Sequence, residues 1–120
     1  MDNNNKLEII KKEISEMLIR LSPGSNLNEL NFQEAYNEVL KNSEIDVIST
    51  LKSIFSRENK DKLHFSLLEY QGKVITMLGE IRDMRISEIT KGSFNTPENL
   101  KNRAKTTALI DLYSMLVKNL

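Results

Sequence analysis

Apolar residues recur at intervals of three and four along most of the chain, which is the spacing of one face of an α-helix rather than the alternation of a strand. Ile10, Ile14, Met17, Leu18 and Leu21 predict a first helix over 6–21, after a polar lead of residues 1–5 expected to be flexible. The segment SPGSN stops it, because proline and glycine both interrupt the helical hydrogen-bond ladder. Phe32, Ala35, Tyr36, Val39 and Leu40 predict a second helix over 31–41, with Asn31 as its N-cap and Glu34 completing a capping box. KNSEID then reads as a short polar joint. Val47, Ile48, Leu51, Ile54 and Phe55 predict a third helix over 44–56, followed by SRENKDK, a charged segment that is either a break or a further helical turn.

The dominant pattern runs from Asp61 to Thr90. Leu67, Val74 and Ile81 stand seven apart, with Leu68, Ile75 and Ile89 on an adjoining row, and Tyr70, Met77, Leu78 and Met84 broaden the apolar face beyond a narrow coiled-coil seam. A helix of this length extends about 45 Å and is expected to be the spine of the fold, covered on more than one side. Gly72 and Gly79 also stand seven apart within it. Each costs nearly 1 kcal/mol in helix propensity relative to alanine, which points either to a backbone crossing closely there or to a slight bend.

KGSFNTPENL ends the spine. Thr96 as N-cap and Pro97 at the first helical position open a last helix that runs to the terminus through Leu100, Ala104, Ala108, Leu109, Leu112, Tyr113, Leu116 and Val117. No strand-like segment of useful length remains. The expectation is a single all-α domain over 1–120, about five helices packed around one long central helix.

Composition narrows the function classes. The 120 residues suit one core; cysteine is absent, which removes disulfides, thiolate metal sites and cysteine nucleophiles. Seventeen basic and seventeen acidic residues cancel, so no bulk charge draws the chain to nucleic acid. The apolar runs are far shorter than the roughly 20 residues a membrane helix needs, and MDNNNK is unlike a signal peptide, so a cytoplasmic protein is expected.

Candidate chemistry is sparse. His64 is the one histidine and has no metal-ligand spacing around it; Glu80, Asp83 and Glu88 lie among arginines and lack the ExxH partners of a di-iron site. No phosphate-binding glycine loop occurs, and Ser66, Ser87 and Ser114 have no nucleophile context. The reading is a non-enzyme with no cofactor and no metal. Lys91, Lys101, Arg103 and Lys105 form a small basic patch at the start of the last helix, where a phosphate or acidic partner could meet free backbone amides, without aromatic residues for base stacking.

Two arginines stand out in LGEIRDMRISEI, residues 78–89. Arg82 and Arg85 edge the apolar face, and Arg85 lies three before Glu88, at the spacing of an intrahelical ion pair. Burying an unpaired guanidinium is costly, so each is expected to snorkel or to find an acceptor. A clamp between helices, a contact with a foreign chain and a contact with nucleic acid all remain open.

LLEYQGKVITMLGEIRDMRISEI, followed by a loop and ALIDLYSMLVKNL, resembles the helical domain of the GINS replication factors, in an archaeal-type member. KLEIIKKEISEML and LNELNFQEAYNEVLKNSEIDVISTLKSI resemble its opening helices. The resemblance implies a scaffold without catalytic activity, assembled from like subunits, that links the replicative helicase to a RecJ-like or equivalent protein. It places Ile81, Arg82, Arg85, Ile86 and Ile89 near subunit contacts, and Tyr113 and Leu116 in the final helix packed on the spine. The small β-rich domain usual in that family has no counterpart in this chain, and AYNEVLKN is less acidic than the family's corresponding piece. Two other classes fit the residues: a small phage or bacterial inhibitor or immunity protein acting by protein binding, and a helical nucleic-acid-binding accessory protein.

Overall fold

Asn26 opens the longest uninterrupted stretch of the early chain: its side-chain oxygen accepts from the Glu29 backbone N–H at 2.8 Å, from an extended backbone at φ −71° and ψ 166°. In the computed structural model, which describes residues 3–21, 23–90 and 97–120 and the side chains of all of these except 3, 4, 89, 90 and 97, four helices follow one another. They are α1 (Asn3–Met17), α2 (Leu27–Phe55), α3 (Lys60–Thr90) and α4 (Pro97–Asn119). Helix α1 takes in three residues of the polar lead and stops four residues short of the expected end. The Ile19 N–H donates to Asn37 Oδ1 at 2.7 Å, and the Ile19 carbonyl accepts from Asn37 Nδ2 at 2.7 Å. Both groups that would continue the ladder are therefore held by a side chain from α2.

The expected second and third helices are one. KNSEID holds neither glycine nor proline, and the buried residues Leu40 and Val47 on either side of it stand seven apart, two helical turns, so α2 crosses the polar segment without change of phase. Its cap is Asn26, five residues before the expected Asn31. At the far end Ser56 closes the helix, its N–H bonded to the Lys52 carbonyl at 3.0 Å. The first four residues of SRENKDK, 56–59, are the break and its last three belong to α3, which Asn59 Oδ1 starts by accepting from the Asp61 N–H at 2.9 Å. Helix α4 begins at Pro97 as expected; its expected cap, Thr96, lies outside the described residues.

The core also departs from expectation. Fully buried Ile10 and Ile14 come from α1, Leu40 and Leu51 from α2, and Leu112 and Leu116 from α4. Among the described side chains of α3 only Val74 and Leu78 are buried. The central helix is α4, which packs against all three others, most extensively on α2 and then α3. Ala104 and Ala108, both fully buried, let neighbouring helices approach its axis closely. Thr106 is the buried polar residue of α4 and turns its hydroxyl back onto the carbonyls of Asn102 and Arg103 at 3.0 and 3.1 Å. Helix α3 is a long flanking element instead of the multiply covered spine. The molecule is flat, 51 × 33 × 18 Å, its long dimension close to the roughly 46 Å of a 31-residue helix.

Candidate functional site

Residues of α3 sort onto two stripes. The inner one carries Tyr70, Val74, Leu78 and Ile81, spaced at three and four, and lies toward the rest of the bundle. About 120° around the helix, Leu68, Ile75 and Ile86 form an outer stripe left uncovered, with exposures of 53%, 51% and 61%. Phe65, 68% exposed, extends it toward the start of the helix. Met77 and Met84 are exposed on the opposite edge. Six of the ten large apolar side chains exposed among the described residues belong to this one helix. An apolar residue exposed singly means little; here several share one helix.

Gly72 and Gly79 belong to the outer stripe. A Cβ placed on either meets nothing within 4 Å, which overturns the close internal crossing as the reason for them. Their backbone faces open space.

The two arginines do not join helices. Arg82 is exposed and Arg85 half-buried, and neither guanidinium has a hydrogen-bond or ion-pair partner among the described residues. The ion pairs among those residues are Lys11 with Glu8 at 3.5 Å and Lys12 with Glu16 at 4.0 Å, both on α1, so the Arg85 and Glu88 pair is not formed. Polar ties between elements come from residues the sequence did not single out. The Tyr36 hydroxyl donates to Asp111 Oδ2 at 2.7 Å, joining α2 to α4, and Asn119 Nδ2 donates to Glu13 Oε2 at 2.7 Å, joining α4 to α1. Burial, then the bond to Asp111 and its negative charge, push the Tyr36 hydroxyl pKa well above the ordinary tyrosine value. Burial also raises Tyr70, with Tyr113 adding to it, and raises Tyr113, with Asp46 adding to it.

Of the other expected site residues, Ile81 is half-buried, Ile86 exposed, Tyr113 half-buried and Leu116 fully buried; the side chain of Ile89 lies outside the described residues. Lys101 and Lys105 are exposed one turn apart on α4. Arg103 is half-buried and about 200° around the helix from Lys101, so these three do not share one face; Lys91 lies outside the described residues. His64 is exposed. Among the described residues no group of three histidine, cysteine, aspartate or glutamate side chains could hold a metal ion. Among the described residues no helix is long and apolar enough to cross a membrane.

Several clefts lie away from α3, of which two hold polar side chains at or beside helix junctions. A cleft lined by Glu13, Glu16, Tyr36, Asp111 and Lys118 has three of its polar side chains engaged in the ties just described. A groove of about 440 Å³ between Ile19, Asn26, Phe32, Gln33 and Leu100 is mainly apolar, and Gln33 Oε1 is buried beside it without a hydrogen-bond partner. Compared with family models, with curated proteins and with solved structures, the chain matches none of them.

Proposed function

We infer that the chain is a non-catalytic helical scaffold or adaptor that assembles with like subunits and joins proteins of the replisome at the replicative helicase. The observation that carries the protein-binding part is the outer stripe of α3, where Leu68 and Ile75 stand in solvent although the inner stripe of the same helix, through Val74, already joins it to the core built by α1, α2 and α4. A helix that needed only to fold would place charged or polar residues there. The replisomal part rests on the resemblance of residues 67–89 and 108–120 to the GINS helical domain, with Ile81, Arg82 and Arg85 in α3 and Tyr113 and Leu116 in the last helix.

Co-elution decides it. Purified chain mixed with the replicative helicase and the RecJ-like protein of its own cell is expected to co-elute with at least one of them, and to lose that complex when Arg82 and Arg85 are both replaced by glutamate. Separate elution of all components overturns the replisomal assignment. Stoichiometric inhibition of a single toxin or defence protein would put the inhibitor reading in its place.

A further inference from the structure

The outer stripe of α3 repeats with a regularity that its exposure alone does not require. Phe65, Leu68, Gly72, Ile75, Gly79 and Arg82 follow one another at steps of three and four, and Ile86 continues the series. This is the a/d pattern of a helix-pairing seam, sustained from Phe65 to Arg82 over about 26 Å. The buried stripe of the same helix runs on a separate row, so the seam is not an extension of the internal packing.

We propose that the seam pairs with the same seam of a second copy, antiparallel, around a two-fold axis passing between the levels of residues 73 and 74. The choice of occupant follows from complementarity of size and charge. In that register Ile75 lies opposite the second copy's Gly72, and Leu68 opposite the second copy's Gly79. Each large side chain meets a position where a Cβ has nothing within 4 Å, which is room for a knob to enter. Arg82 lies opposite the second copy's Phe65, where its guanidinium can rest on the ring face. Along one edge Lys62 and the second copy's Asp83 come within about 3 Å of the same level, and the two-fold repeats the pair. All eight participating positions are exposed in the single chain.

A parallel pair fails on both counts: Arg82 would face Arg82, and Gly72 and Gly79 would face their own copies across gaps. The pairing deepens the adaptor reading, since it rests on the outer face of α3 being a protein-binding surface, and it identifies what that surface binds.

The test is sedimentation of the full chain across micromolar concentrations. Wild type is expected as a dimer. Ile75→Glu and Leu68→Glu, both at exposed positions and so compatible with an unchanged helical circular dichroism spectrum, should each weaken association roughly a hundredfold or more, because a carboxylate would then be desolvated against glycine. A monomeric wild type overturns the proposal, as does a dimer indifferent to both variants. Register is read by charge exchange. Lys62→Asp and Asp83→Lys should each weaken the dimer about three- to tenfold, and the double variant K62D/D83K should restore it. Residues 62 and 83 are about 32 Å apart along one helix, so restoration can come only from a second antiparallel copy. Weakening that the double variant leaves in place overturns the antiparallel register. Helicase co-elution is read independently: a monomer that still binds helicase sinks the pairing alone, and a dimer that does not bind it sinks the replisomal adaptor alone.

Discussion

Helices α3 and α4 are both long and both carry apolar residues at helical spacing, yet they occupy opposite roles. In α4 the apolar positions lie where three neighbours converge, and Ala104 and Ala108 keep the axis accessible to them. In α3 a similar number of apolar residues is divided between two stripes, of which the bundle covers one. A small side chain accordingly means different things in the two helices. The alanines of α4 sit under another helix, whereas Gly72 and Gly79 of α3 face open space.

Truncation in the two helices should give the largest contrast. Leu116→Ala removes a fully buried side chain and is expected to cost about 2–5 kcal/mol by denaturant unfolding, whereas Ile75→Ala in a single chain should stay within about 0.5 kcal/mol. Comparable losses at the two sites would mean that α3 is covered inside the monomer. Enlargement sharpens the same contrast with opposite signs. Ala108→Leu should overpack the α4 contacts and cost about 1–3 kcal/mol, while Gly79→Ala, with nothing to meet, should raise monomer stability by about 0.5–1 kcal/mol through helix propensity.

A third expectation concerns the tie that ends α1. Asn37→Ala leaves the Ile19 N–H and carbonyl without their partner and should cost about 1–3 kcal/mol, with hydrogen exchange accelerated at Ile19 and unchanged along α3. The last expectation concerns Tyr36. Its folded pKa stands above the unfolded value near 10, so the folded chain holds the proton that the unfolded chain loses. The stability this contributes is complete below about pH 10 and declines as pH rises beyond it. Tyr36→Phe should lower stability at neutral pH by about 1 kcal/mol, through the lost bond to Asp111, and make the alkaline decline shallower; Tyr70 and Tyr113, also raised, leave part of that decline in place.

The all-α class was legible because the three-and-four spacing persists through every long segment and no alternating segment competes with it. The helix start at Pro97 was legible for a local reason, since proline acts on the backbone whatever surrounds it, whereas α1 ends at Met17, before SPGSN, where Asn37 of α2 takes the Ile19 backbone groups. KNSEID was read as a joint because it is polar, but polarity does not end a helix whose buried positions resume in phase at Val47. The cap at Asn26 was passed over for Asn31 because apolar periodicity, which begins at Phe32, says where a helix is buried and not where it begins. The interhelical ties were equally hidden. Tyr36 and Asp111 are 75 residues apart, and nothing local to either announces the other.

The chain by itself determined that the fold is all-α and that α3 carries more apolar surface than one neighbour can cover, because both follow from periodicity along a single helix. It could not determine which helix would be central. That depends on how apolar faces from distant segments share a limited interior: the alanines of α4 admit close neighbours on several sides, while the second stripe of α3 is left outside. Only the tertiary arrangement decided that Gly72 and Gly79 open outward and that Arg82 stands among them, because a residue's angular position on a helix acquires a partner, or solvent, only when the other helices have taken their places.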